Sequence, residues 1–381
     1  MPPSTDIARQ DRPRLLLLID LIPRSRRPWE AWLLGLAGQL RTQGAELVLV
    51  ITGPAPEWFQ TEFHDAGGQL ACCESLRNRF DAQAAAELVH RFQPVVLLLM
   101  FYPMLASKVL RLTFRHPVKH AFYIDQSSLE VPVRSGIAKM LVWLRGRIGA
   151  RCYRKIITVS DFNADRLRQR LGIPASRLVR IHNGVELDRF KNPPVSAPET
   201  ARPFFYAGQI ADYKGVPTLI KAYAQVRAVR PNAPPLFLAG EGRMRQKLTD
   251  EVAAMGFSGH IHFLGQVGDV PERMMSALCS IIPSEWDEAS AFSAIEAMAA
   301  GRLVIASDAG SLPELLGGLG RLYPRGNAAA LTASLVGLLD SSPAELDAAG
   351  AALRSRAQAE FGMEKMIESY LRVLRPCLRS T

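Results

Sequence analysis

Residues 284–310 read SEWDEASAFSAIEAMAAGRLVIASDAG, and two of their acids, Glu288 and Glu296, stand eight positions apart. Glu296 falls inside a helix of small residues, AIEAMAAG, slim enough to approach another surface closely. Burying such a carboxylate costs several kcal/mol unless donors satisfy it. A ribose diol would supply them. Glu288 lies in the loop before that helix, where a carboxylate can accept hydrogen bonds from sugar hydroxyls. The amides of Ala289, Ser290, Ala291 and Phe292, at the helix start, suit a phosphate. The plainer alternative is a dipole match for Glu288 and a salt bridge for Glu296. Spacing alone leaves both open.

Three further segments have the form strand, glycine, helix. In YAGQIADYKG, Gly208 permits close backbone approach and Lys214 adds a mobile cation to a helix start, a setting for a diphosphate. A solvated lysine is the alternative. LAGEGRMRQKL places Gly240 and Glu241 at a second strand end, and IHFLGQV places Phe263 and Leu264 at a third. Backbone groups there could meet a nucleobase, or the strand could be plain core.

These segments sit in a chain of 381 residues, long enough for two domains of about 180 residues each. No apolar run approaches the roughly 20 residues needed to span a bilayer. The polar start MPPSTDIARQDRPR carries no apolar signal centre, which predicts a cytoplasmic protein. The five cysteines form no C-x-x-C pair, and neither H-E-x-x-H nor D-x-D occurs, so no metal and no cofactor are expected. A formal net charge of +10 favours anionic partners. Nucleic acid is not expected among them, because no recognition motif accompanies the charge.

Apolar runs at 14–20, 46–52, 95–101, 118–124 and 155–160 alternate with helical stretches such as 29–42 and 81–92. That alternation predicts a parallel sheet wrapped by helices. KNPPVSAPETA at 191–201 reads as a linker, after which strands and helices alternate again. The expected organisation is an N-terminal Rossmann-like domain over 1–190 and a second doubly wound domain over 202–362. Open sheets of this kind bind ligands beyond their strand carboxyl ends.

From about residue 150 onward the chain resembles the retaining glycosyltransferases of family 4, which have the GT-B fold. The motifs ITVSDFNADRL, IHNGVELDRF, AGQIADYKG, AGEGRMRQKL, IHFLGQV, PSEWDEASAFSAIEAMAAGRLVIASDAG and FGMEKMIESYLRVL follow in the family's order. The resemblance implies two Rossmann-like domains facing across a cleft, the first of them acceptor-binding, with the closing helix, 363–381, crossing back to the first. It implies that Glu288 holds donor-sugar hydroxyls, Glu296 the nucleotide ribose and Lys214 the diphosphate, with no metal. Residues 289–292 would complete the sugar and phosphate contacts. The implied partners are a nucleotide diphosphate sugar, UDP- or GDP-linked, and a glycan, lipid-linked or lipopolysaccharide-type acceptor.

Three features depart from the family. Gln209 stands where the family carries an arginine for the diphosphate. The glycine-rich first loop is replaced by IPRSRRPWEAW, whose Arg24, Arg26 and Arg27 either reach the acceptor or remain solvated. Asp125 stands in place of a histidine near the reacting sugar, either orienting a hydroxyl or simply ending its strand. Residues 133–155 add Arg134, Lys139, Arg145, Arg147, Arg151, Arg154 and Lys155, interleaved with apolar residues including Trp143. Such a basic amphipathic helix either adsorbs to an anionic inner membrane face or packs its apolar side on the domain. Two other readings compete with transfer: a nucleotide-sugar epimerase of GT-B shape, which fits the fold but not the Glu288/Glu296 context, and a non-catalytic nucleotide-sugar binder or partner subunit.

Overall fold

The computed structural model describes residues 12–115, 118–128, 135–191 and 202–378. Arg134 and all of the 191–201 segment except Lys191 lie outside the described residues. The chain forms two compact units, one built from the chain up to His182 plus the segment from Met363, the other from Asn183 to Gly362. The stretch 183–190, which the sequence reading gave to the first domain, thus belongs to the second. Val185 and Phe190 enter the second unit's core, and the Val185 amide donates to the Phe361 carbonyl at 2.9 Å.

In the first unit, β1 (Arg14–Ile19), α1 (Pro28–Thr42), β2 (Glu46–Ile51), α2 (Glu57–Asp65) and β3 (Gln69–Cys72) lead the chain. Then come α3 (Ala82–Phe92), β4 (Val96–Met100), α4 (Ser107–Arg115), β5 (His120–Asp125) and α5 (Gly136–Gly149). The unit continues with β6 (Lys155–Thr158), α6 (Asp161–Leu171) and β7 (Leu178–Arg180). The seven strands form one parallel sheet in the order β3-β2-β1-β4-β5-β6-β7. Helices cover both faces, which is why the central strand β4, VLLLM, is buried at every position.

Local signals fix the helices of this layer. Asp81 caps α3 by accepting from the Gln83 and Ala84 amides, Ser160 caps α6 through Asn163, and Gly172 ends α6 in the left-handed conformation. Of the two readings left open for α5, the packing of its apolar side on the domain is not what the structure shows. Only Gly146 and Gly149 are buried, while Ile137 is 73% exposed and Met140, Leu141, Leu144 and Ile148 are also exposed. The helix docks through its small residues: a Cβ on Gly146 would stand 1.7 Å from the Leu171 carbonyl oxygen.

The second unit contains β8 (Phe204–Ala207), α7 (Val216–Val229), β9 (Leu236–Ala239), α8 (Arg245–Ala254), β10 (Ile261–Gly265) and α9 (Val270–Ser276). It continues through β11 (Cys279–Ile282), α10 (Phe292–Ala299), β12 (Leu303–Ser307), α11 (Leu312–Leu316) and β13 (Arg321–Tyr323). Helices α12 (Ala328–Leu339) and α13 (Pro343–Glu360) close it, and α13 starts on a Ser342/Glu345 capping box. Its six-stranded parallel sheet runs β10-β9-β8-β11-β12-β13. The last helix, α14 (Met363–Leu378), buries Met366, Tyr370 and Leu374 in the first unit's core, with Tyr370 5.1 Å from the Trp32 ring.

Candidate active site

Each sheet reverses its winding once, between β1 and β4 in the first unit and between β8 and β11 in the second. Ligands of doubly wound sheets bind outside the strand carboxyl ends at that reversal. In the second unit the loops leaving β8 and β11 carry Lys214 and Glu288.

Those loops are clasped. Lys214 ends a 3₁₀ turn, Asp212–Lys214, and Gly215 follows at φ 71°. A Cβ on Gly215 would stand 1.7 Å from the Pro283 carbonyl oxygen, so only glycine lets the loops meet. The Glu285 amide donates to the Tyr213 carbonyl at 2.9 Å, and the Thr218 hydroxyl to the Glu285 carboxylate at 2.5 Å. The Lys214 ammonium then donates to Glu288 Oε1 at 2.5 Å, and the Ser284 hydroxyl donates to the same oxygen at 2.6 Å. Glu288 is 5% exposed, and this pair of donors satisfies it.

The backbone of Glu288 is fixed from the other side as well. The Ser311 amide donates to its carbonyl at 2.8 Å, and a Cβ on Gly310 would lie 2.3 Å from that oxygen. Asp287, to which the sequence gave no role, binds Arg325 at 2.9 Å, while the Arg325 amide donates to Asp308 at 2.9 Å. Ser284 is held in turn, its carbonyl accepting from Ser307 at 2.6 Å.

An aromatic wall flanks the ion pair. Tyr213 and Trp286 pack with ring centroids 4.4 Å apart, and the Lys214 ammonium lies 4.9 Å from the Trp286 ring. Gln209 faces this wall: its side-chain oxygen accepts from the Tyr213 hydroxyl, and its carbonyl from the Tyr206 hydroxyl at 2.7 Å. Burial first, then the Glu288 charge, raises the Tyr206 pKa and keeps that hydroxyl a donor.

The remaining candidates lie at neighbouring strand ends. The Gly208 amide donates to Ala239 and the Gly240 amide to Gly265, and a Cβ on Gly240 would stand 1.8 Å from the Gly208 oxygen. Glu241 pairs with Arg245 at 2.6 Å. The β10 ladder slips between Phe263 and Gly265, so Leu264 falls between paired positions. Ala289 and Ala291 are buried, and Ala291 precedes Phe292, the first residue of α10, with no side-chain cap. Among the described residues, the buried Ser290 hydroxyl and Trp286 Nε1 have no hydrogen-bond partner. Glu296 lies within α10, partly exposed.

Asp125 belongs to the first unit and is 5% exposed. Its carboxylate accepts from the Ser127 amide at 3.1 Å and lies 3.9 Å from the Arg166 guanidinium. Arg166 also donates to the Ser127 carbonyl and to Asn163 at 2.6 Å, while Asn163 donates to the Asp125 carbonyl at 2.9 Å. Burial raises the Asp125 pKa, opposed by Arg166, the Ser127 amide and Asn163. Arg24, Arg26 and Arg27 are exposed on the loop after β1, where Arg26 pairs with Glu62 at 2.5 Å and lies 5.1 Å from the Trp58 ring. Sequence reasoning missed Phe101, at φ 64° just after β4, its ring 5.8 Å from Trp29.

Residues 188–354 match the model described as glycosyl transferases group 1, and residues 30–189 match that of glycosyltransferase family 4. The chain belongs to glycosyltransferase family 4. It is 32% identical over 193 residues to a phosphatidyl-myo-inositol mannosyltransferase of Mycolicibacterium smegmatis, covering 48% of each chain. Over 182 residues it is 30% identical to a lipopolysaccharide 1,2-N-acetylglucosaminetransferase of Salmonella typhimurium, covering 42% of this chain and 46% of that one. The chain thus spans about half the length of the curated relatives it matches. The solved structure of a glycosyltransferase from Rickettsia africae has a TM-score of 0.79 at 16% identity, covering 97% of this chain and 100% of that one. Anabaena HepE in complex with UDP gives 0.74 at 17% identity, covering 95% and 100%. At these identities the likeness is one of fold: two Rossmann-like parallel-sheet units of GT-B type.

The Asp125 cluster yields a stability prediction. Asp125→Ala leaves the buried Arg166 guanidinium without its carboxylate and should destabilise the protein by about 3 kcal/mol. Arg26→Ala, at an exposed pair, should change stability by less than about 1 kcal/mol. Denaturant titration followed by circular dichroism checks both.

Proposed function

We propose that this family 4 protein is a retaining, metal-independent transferase that moves a sugar from a UDP- or GDP-sugar to a lipid-linked or lipopolysaccharide-type acceptor. The observation that carries the reading is the Lys214–Glu288 contact at the sheet reversal of the second unit. It joins a cation suited to a diphosphate and a carboxylate suited to sugar hydroxyls, both on loops clasped by backbone contacts. In transfer, the bond from the sugar's anomeric carbon to the diphosphate breaks as the acceptor hydroxyl oxygen bonds that carbon on the same face, the hydroxyl proton passing to the departing diphosphate oxygen. Lys214 and the amides at the start of α10 stabilise the leaving diphosphate, while Glu288 orients the sugar. Glu296 is assigned to the ribose, and the slipped edge near Leu264 to the base. Asp125 acts by holding the 125–128 turn against Arg166.

The relatives' names support the acceptor class, one naming phosphatidyl-myo-inositol and another lipopolysaccharide. The exposed apolar residues of α5, flanked by Lys139, Arg145 and Arg147, support contact with the cytoplasmic membrane face. Each basic side chain near an anionic leaflet adds about 1 kcal/mol. No helix among the described residues is long and apolar enough to cross a membrane, so the contact would be peripheral. One observation favours the alternative of a non-catalytic binder: Gln209 supplies no charge and its side-chain oxygen is engaged by Tyr213.

Two measurements test this. Lys214→Ala and Glu288→Gln should each lower transfer or donor hydrolysis by about 100-fold or more, with folding retained; wild-type turnover in either variant would refute the site. The protein should co-sediment with anionic liposomes at low salt, and Ile137→Ser with Leu141→Ser should reduce that binding. Equal binding to anionic and neutral vesicles would contradict the assignment of α5.

A further inference from the structure

The site as described is short of positive charge. A diphosphate carries several negative charges, yet Lys214 is already balanced by Glu288 at 2.5 Å. Gln209, which could have added a cation, is neutral and tied to the Tyr213 hydroxyl. A second cation stands on the adjacent loop. Arg243 follows β9, and its loop is pressed onto the loop leaving β8: the Met244 amide donates to the Ile210 carbonyl at 3.2 Å. A Cβ on Gly242 would lie 2.2 Å from that same oxygen. The Arg243 guanidinium carbon lies 6.0 Å from the Tyr213 ring centroid, and the Lys214 ammonium lies 5.9 Å from it. One ring therefore carries a cation from each loop.

We propose that Arg243 is the second diphosphate-binding cation of this site, delivered from the loop after β9 and taking the charge that Gln209 does not supply. This rests on the donor-site reading given above. Arg243 is held by Asp212, the first residue of the turn that ends in Lys214. Both partners are well exposed, 66% and 58% at the side chain, and such pairs contribute little to stability. Exchanging Asp212 for a phosphate oxygen therefore costs little, while the guanidinium gains a bidentate partner. Tyr213 then serves as the shelf along which both cations lie, and its bond to Gln209 fixes the shelf.

Calorimetric titration of the full chain with UDP, GDP, UMP and GMP tests this without requiring an acceptor. The wild type should bind at least one diphosphate more tightly than its monophosphate. Arg243→Ala should weaken that diphosphate about tenfold and leave the monophosphate nearly unchanged. Arg243→Lys should recover part of the loss, and Gln209→Arg placed in the Arg243→Ala background should restore it. Thermal denaturation should show all variants folded. Unchanged diphosphate affinity in Arg243→Ala would overturn the proposal while leaving the donor site standing, and so would equal weakening of mono- and diphosphate, which marks a structural role. A wild type that binds no nucleoside diphosphate would overturn the donor reading and this proposal together.

Discussion

A carboxylate that is 5% exposed has to be compensated, and much of the second unit's strand-end architecture serves Glu288. Removing such a charge from water costs several kcal/mol unless hydrogen bonds and a counter-charge replace the lost solvation. Lys214 and Ser284 provide both on one oxygen. Ser284 stands on the same loop as Glu288, but Lys214 could not reach it unless two loops separated by some seventy residues of sequence met at the sheet reversal. That meeting depends on Gly215 accepting the Pro283 carbonyl, and on the Glu285 amide bonding across to Tyr213. On the far side, Gly310 and Ser311 press against the Glu288 backbone, and Asp287 and Arg325 lock the same segment.

Under the proposed function the two halves of this pair have separate uses. A sugar hydroxyl donates to a carboxylate, and a phosphate oxygen accepts from an ammonium. In the proposed donor site a nucleotide sugar would exchange one internal ion pair for two external contacts, hydroxyl donors on the carboxylate and a phosphate oxygen on the ammonium. The same logic extends outward to Arg243 and Asp212, where a weak exposed pair holds a second cation beside the first.

Much of this was legible in the sequence. Strands covered on both faces read as continuous apolar runs, and β1, β2, β4, β5, β6 and β8 through β12 fall on such runs. The strands that escaped, β3, β7 and β13, are short edge strands with polar or exposed residues, QLAC, LVR and RLY, which lack the two-sided burial that writes an apolar run. For α5 the sequence supplied the alternation of basic and apolar residues but could not say whether the apolar side was covered; that depended on Gly146 meeting Leu171 of α6 and Gly149 meeting Leu105 and Leu110. At the site, Lys214 and Glu288 stood out by type, position after a strand and resemblance. Tyr213, Trp286 and Arg325 did not, because their roles come from partners across loops rather than from a motif, and Ser284 did not because its bond to Glu288 needs the loop's folded shape. Asp125 was visible as an acid at a strand end, while its burial against Arg166, far along the chain, was not.

The central claim is that Lys214 and Glu288 divide between the diphosphate and the sugar. A crystal structure of the protein with a nucleotide sugar bound tests it most directly. The account predicts a diphosphate oxygen within hydrogen-bond distance of the Lys214 ammonium, a sugar hydroxyl on Glu288, and the present 2.5 Å contact between the two side chains opened. A nucleotide sugar bound elsewhere, with that contact intact, would contradict it.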